Sequence, residues 1–215
     1  MEQAMITSAE SAIKFLPRKE LRRGCHGKRV TLLYSRKNDT PVACANVLQA
    51  EQCIYLEYRK DVIAYECRPP TLCRGTTVFN ADFLVHLKTG SRVYYKVLSP
   101  RFREMPDAQQ AMNAVETMLL DSGYFFHWIE HAQLPNSIIT QNLQYLYHHS
   151  LAGSESSAQR VCQLVSDVQP NRTDLKTLID MDVATSDICY AIFQGHLSVN
   201  LNQKLTLSTH IWRQS

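Results

Sequence analysis

No apolar run in the 215-residue chain approaches the roughly 18 residues needed to span a bilayer. The N-terminus, MEQAMITSAE, has neither the basic start nor the apolar segment of a secretory signal. Both absences point to the cytoplasm and away from a membrane partner. The seven cysteines are odd in number and scattered without a repeated close pair, which argues against a disulfide framework and fits reduced thiols. Cys67 and Cys73 with Cys25-His26 match no compact zinc pattern, so buried free thiols are expected. Internal repeats and low-complexity tracts are absent. A net charge of +3 and a pI near 8.4 are too mild to name a partner, so the distribution of charge has to be read.

A composition 45% hydrophobic and 20% charged is that of an ordinary core, enough for one large domain or two small ones. Residues 1–28 form a basic N-terminal arm. Lys14, Arg18, Lys19, Arg22, Arg23 and Lys28, with Arg29 just beyond, crowd a stretch that also holds Glu20. Arg18, Lys19, Arg22, Arg23, Lys28 and Arg29 are the candidates to neutralise DNA phosphates; a solvated terminus with no partner is the plainer alternative.

Pattern and turn signals predict a strand at residues 29–34, a loop at 35–41, a helix at Val47–Tyr58 capped by Asn46, and a strand at 62–66. A β-hairpin over 78–87 and 92–98 follows, then a helix at 107–121, a buried strand at 124–129 and a helix at 137–148. This is an α/β domain spanning 29–150, a mixed sheet flanked by helices. The small polar run at 152–157 reads as a linker. Residues 158–215 then read as three short helices, capped at Thr173 and at Thr185 or Ser186, and a β-hairpin around Asn202-Gln203. That order is a winged-helix arrangement. In it Arg172, Thr185, Ser186 and Tyr190 are candidates to face DNA, but the expected recognition helix carries no Lys or Arg and includes Asp187, so protein docking stays open as its role.

The rest is organised around residues 65–100. The hairpin sets Asp82 on one strand and Lys96 on the next, close enough to share a site. Phosphodiester cleavage calls for a divalent metal held by carboxylates and for a cation near the developing charge, and these two residues supply part of that set. Glu66 is a further candidate, with an exposed position or a pairing to Arg68 as the plainer reading. His148-His149 suits a helix C-terminus without a metal. Tyr94, Tyr95, Tyr124, Phe125 and Phe126 read as sheet core.

Leu56-Glu57-Tyr58 leading to Asp61-Val62-Ile63-Ala64-Tyr65-Glu66, then Arg68-Pro69, Asn80-Ala81-Asp82-Phe83-Leu84-Val85 with Gly90, and Asn142-Leu143-Gln144-Tyr145-Leu146-Tyr147 together resemble TnsA, the endonuclease subunit of heteromeric transposases. The likeness runs over nearly the whole chain from about residue 24. It implies a restriction-endonuclease-like, PD-(D/E)xK-type domain followed by a winged helix. It implies Mg2+-dependent (or Mn2+-dependent) cutting of the 5′ non-transferred strand at transposon ends, beside a DDE-family transposase and an AAA+ ATPase regulator, in a bacterial cytoplasm. The family Asp falls on Asp82, which becomes the catalytic carboxylate and metal ligand, and the family lysine falls on Lys96. A second register would bring Leu98 to the lysine's place. The helical catalytic Glu falls on Gln49, and a gap of one or two residues would substitute Glu51. Tyr94 stands where the family has an acid or Gln. An amide holds a metal only through a neutral oxygen and is no base. Gln49 and Tyr94 therefore support the alternative of a nuclease-deficient relative that binds DNA and partners. A third reading is a winged-helix regulator that uses the α/β domain to dimerise.

Overall fold

The computed structural model describes residues 12–19, 21, 30–99, 102, 104–130, 135–168 and 172–213. It is an α/β protein in two compact units, one built from residues 1–53 and 61–134, the other from 54–60 and 135–215. Among the described residues no helix is long and apolar enough to cross a membrane.

In the first unit the elements are β1 (Lys14–Leu16), β2 (Thr31–Ser35), β3 (Thr40–Cys44), α1 (Val47–Tyr58, whose last residues count with the second unit), β4 (Val62–Cys67), β5 (Thr71–Arg74), β6 (Thr77–Phe79), β7 (Phe83–Leu87), β8 (Arg92–Val97), α2 (Ala108–Asp121) and β9 (Phe125–Ile129). The principal sheet runs β4-β7-β8-β9. Its first three strands are antiparallel and β9 is parallel to β8, as expected when a helix, here α2, carries the chain between two neighbouring strands. On α2 the period-3.6 stripe turns Ala108, Met112, Val115, Met118 and Leu119 inward. Val115, Met118 and Leu119 pack with Leu72, Phe79, Leu84 and Tyr94, and each fully buried side chain there contributes about 1.5–3 kcal/mol.

Several expectations need correction here. The basic arm is not wholly separate, because Lys14–Leu16 pairs antiparallel with β5; Arg22, Arg23, Lys28 and Arg29 lie outside the described residues. The expected loop at 35–41 is cut short at both ends, since Ser35 belongs to β2 and Thr40–Cys44 form β3 against it. The expected long first arm of the hairpin is broken: Thr77–Phe79 belongs to the β1-β5-β6 sheet and only Phe83–Leu87 pairs with β8. Asn80 marks the break, its side chain accepting from the Thr71 hydroxyl at 2.6 Å. The strand at Phe125–Ile129 is a sheet edge rather than a buried strand, and Phe125 is exposed. At the opposite edge, the β2–β3 turn lies against β4. The Asn38 amide accepts from the Tyr65 N–H at 3.1 Å and donates to the Tyr65 carbonyl at 2.7 Å, while Lys37 Nζ donates to the Val62 carbonyl at 2.6 Å.

The second unit holds α3 (Ser137–Ser150), α4 (Glu155–Asp167), β10 (Arg172–Asp174), α5 (Leu175–Asp180), α6 (Thr185–Phe193), β11 (Ser198–Val199) and β12 (His210–Trp212), with sheet order β10-β12-β11. The expected division near residue 150 therefore falls too late. α3 belongs with the helices that follow it because Leu143, Leu146 and Tyr147 are buried and the Tyr147 ring lies 5.8 Å from that of Phe193. Nor is 152–157 a free linker: Ser154 caps α4 in a capping box with Ser157. Ser154→Ala is expected to cost about 1 kcal/mol, read as a lowered urea midpoint. Gly153 precedes it at a close approach. A Cβ there would meet Tyr190 Cβ at 2.5 Å and the Ser186 carbonyl at 2.6 Å, so Gly153→Ala is expected to lower stability by about 2 kcal/mol through overpacking, measurable by thermal melting. The cap of α5 is Asp174 rather than Thr173, its carboxylate accepting from the Thr177 N–H at 2.7 Å, and this bond lowers the Asp174 pKa. The cap position of α6 is Ala184. The two C-terminal strands pair as expected in kind, but they are shorter and joined by a loop over residues 200–209.

Candidate functional site

Asn46 begins α1 as expected, its side-chain oxygen accepting from the Gln49 N–H at 2.9 Å. Gln49 reaches back, and its Oε1 accepts from the Ala45 N–H at 2.9 Å. This arrangement resembles the capping box of Asn-x-x-Gln. It also aims the other end of the amide inward, where Gln49 Nε2 donates to Asp82 Oδ1 at 2.7 Å.

Asp82 lies one residue before β7 and continues the ladder on both sides. Its N–H donates to the Tyr95 carbonyl at 2.8 Å and its carbonyl accepts from the Arg68 N–H at 2.7 Å. Arg68 has a positive φ of 55°, so the chain leaves β4 there while its amide still reaches Asp82. The carboxylate is buried. Oδ2 accepts from the Val97 N–H at 2.8 Å, and Lys96 Nζ lies 3.3 Å from Oδ1 and 3.2 Å from Oδ2. The three predicted residues Gln49, Asp82 and Lys96 thus meet at one carboxylate, delivered by a helix N-terminus and two neighbouring strands. Lys96, rather than buried Leu98, is the residue that faces Asp82.

Tyr94 sits two residues before Lys96, where the expected second ligand would be. Its ring turns into the core against Phe79 and Tyr124, at centroid distances of 6.3 and 5.8 Å, and burial raises its pKa. Glu51 is about 200° around α1 from Gln49. Glu66 does not join the cluster either: its carboxylate is 3.6 Å from His86 Nε2. Among the described residues Asp82 belongs to no group of three or more His, Cys, Asp or Glu ligands.

This donor set does not fit magnesium. The ion asks for a near-octahedral shell of oxygens, and here one carboxylate already accepts from an amide, a backbone N–H and an ammonium. The oxygen of Gln49 is turned away to Ala45. The oxygens of Asp82 are instead engaged by donors from within the protein.

Beside it, Arg18 Nη1 donates to the Ala81 carbonyl at 2.6 Å. Burial and the charge of Arg68 pull the Arg18 guanidinium below its usual pKa, and Asp82 opposes them. Arg18, Lys19, Arg68, Asn38, Thr40 and His86, with Glu66, line a groove of about 760 Å³ in which cations outnumber the one acid. In the second unit, α6 turns Ile188, Cys189, Ala191, Ile192 and Phe193 inward, while Tyr190 stacks on His196 at 17°. The polar groove of that unit, about 560 Å³, is lined instead by Arg172, Lys204, Thr206, His210 and Trp212.

Sequence reasoning missed three cysteines. Cys44, Cys53 and Cys67 bring their sulfurs to within 4.8 Å of one another, and no spacing signal announces them because they come from β3, α1 and β4. No protein-family model and no curated protein matches the chain, so any family assignment rests on the residues themselves.

Proposed function

We propose that this chain is a TnsA-like transposition protein that binds transposon-end DNA and positions the 5′ non-transferred strand without cutting it, working beside a DDE-family transposase and an AAA+ regulator. In this reading the first unit is a restriction-endonuclease-like domain whose catalytic centre has become structural, and the second is a winged helix. The observation that carries it is the closed network at Asp82, in which Gln49, Lys96 and the Val97 N–H fill the carboxylate's acceptor sites. The cationic groove with Arg18, Lys19 and Arg68 supports DNA as the ligand. The groove with Arg172 and Lys204 supports a second contact.

Cutting is the second reading, favoured by the pairing of Asp82 with a lysine. The two separate in one assay. The purified chain is mixed with the transposase, element-end DNA and magnesium or manganese, under conditions where the transposase cuts its own strand. The 5′ strand is expected to stay intact, and 5′ cleavage that is lost in Asp82→Ala would overturn the non-cutting reading. For binding, Lys19→Ala and Lys204→Ala are each expected to reduce the slope of log K against log salt by about 0.9. Slopes unchanged in both variants would remove these grooves from the interface.

A further inference from the structure

Cys44 ends β3, Cys53 lies in the middle of α1 and Cys67 ends β4. Their side chains converge: Cys53 Sγ is 3.4 Å from Cys44 Sγ and 3.4 Å from Cys67 Sγ, and all three sulfurs lie within 4.8 Å of one another. Cys44 and Cys53 are buried, whereas Cys67 is half-buried and lines the cationic groove. Among the described residues this is the one cluster of three ligating side chains.

The spacing is close to that of a metal's ligand edges. Three sulfurs held about 2.3 Å from a central ion in a tetrahedral arrangement are about 3.8 Å apart, so the two short contacts need to open by only about 0.4 Å and the Cys44–Cys67 pair, within 4.8 Å, to close by at most about 1 Å. A disulfide needs about 2.05 Å, which would require one pair to close by about 1.4 Å, and Cys53 stands equally far from both neighbours. Three thiolates also select the softer ions, copper(I) and zinc(II), over magnesium or calcium.

We propose that Cys44, Cys53 and Cys67 bind one thiophilic d10 cation, zinc(II) or copper(I), with the remaining coordination position open toward the groove past Cys67. Each ligand adjoins a group that holds Asp82. Cys44 precedes Ala45, the donor to Gln49 Oε1. Cys53 is one helical turn beyond Gln49 on the same side of α1. Cys67 precedes Arg68, whose N–H donates to the Asp82 carbonyl. The ion therefore clamps β3, α1 and β4 behind the Asp82 network, and its loss loosens all three supports together.

The test uses the full chain, purified under reducing conditions, stripped with a chelator and then given zinc(II) or copper(I) in separate arms. One equivalent of one ion is expected to survive desalting, with a melting temperature higher by about 5 °C or more when free metal is about a hundred times its Kd. Cobalt(II) in place of zinc is expected to produce a sulfur-to-metal charge-transfer band, a readout that needs no variant. Cys67→Ser, at the half-buried ligand, is expected to weaken retention at least about 10-fold, and Cys73→Ser, outside the cluster, to leave it unchanged. Failure of both ions to be retained by the wild-type chain would overturn the site. Equal retention by Cys67→Ser would overturn it too, as would a mass two hydrogens lower in freshly isolated, unreduced protein with a disulfide mapped within the three.

Discussion

Asp82→Ala is expected to lower the free energy of unfolding by about 3 kcal/mol, moving the urea midpoint down by about 1 M or more. Alanine removes the acceptor of three donors at once. The Val97 N–H, Gln49 Nε2 and Lys96 Nζ all point at Asp82, and the buried Gln49 has little access to water to replace it. Breaking a buried pair by deleting one partner costs about 3–5 kcal/mol; the lower end applies because the Lys96 side chain is 30% exposed and recovers part of its hydration. Asp82→Asn keeps the volume and one oxygen and should lose less. In a double-mutant cycle, Asp82→Ala with Lys96→Met is expected to be milder than the sum of the single changes, since the stranded ammonium is gone. A loss under about 1 kcal/mol for Asp82→Ala would mean that the network does not hold the fold together.

The comparable residue in the second unit is Asn142. It is buried on α3, and its amide donates to the Leu201 carbonyl at 2.9 Å and the Gln203 carbonyl at 2.7 Å, while its oxygen accepts from the Leu205 N–H at 3.2 Å. One side chain thus replaces the hydrogen-bond partners that the loop between β11 and β12 lacks. Asn142→Ala is expected to cost about 3 kcal/mol, because each stranded buried group costs about 1–3 kcal/mol and the loop recovers some of them to water. Asn142→Asp should be as damaging, since it turns a carboxylate toward two carbonyl oxygens. Hydrogen exchange of the Leu205 amide is the local measurement: it should speed up in both variants, and unchanged protection would sink the assignment.

The bonds that Asn142 makes are a reason for asparagine there that no local pattern reveals. The same division holds elsewhere. Val47–Tyr58 was legible to the residue because an N-cap, an apolar stripe and a charged stop agree, and α2 was legible because five inward residues keep helical spacing. Asp82 and Lys96 could be brought together from the hairpin alone, since register carries them to neighbouring strands. The inward reach of Gln49 to Asp82 has no local signal, because it depends on α1 lying beside the sheet. What could not be read depends on long-range pairing. Lys14–Leu16 is a strand only because β5 lies beside it, and β3 needs β2. The unit to which α3 belongs is hidden because the small polar run after it has a linker's composition, whereas Ser154 and Ser157 start a helix. The three cysteines meet only in the folded chain.

The contacts between the β2–β3 turn and β4 also bear on solubility. An outer strand is a template on which another chain can add its own backbone, and long, flat edges seed aggregation. Here the Asn38 amide occupies both polar groups of Tyr65 and Lys37 holds the Val62 carbonyl, so an incoming strand would have to displace a side-chain mimic of itself and a positive charge. Asn38→Ala should therefore show up less in the melting temperature than in the concentration at which the protein begins to self-associate.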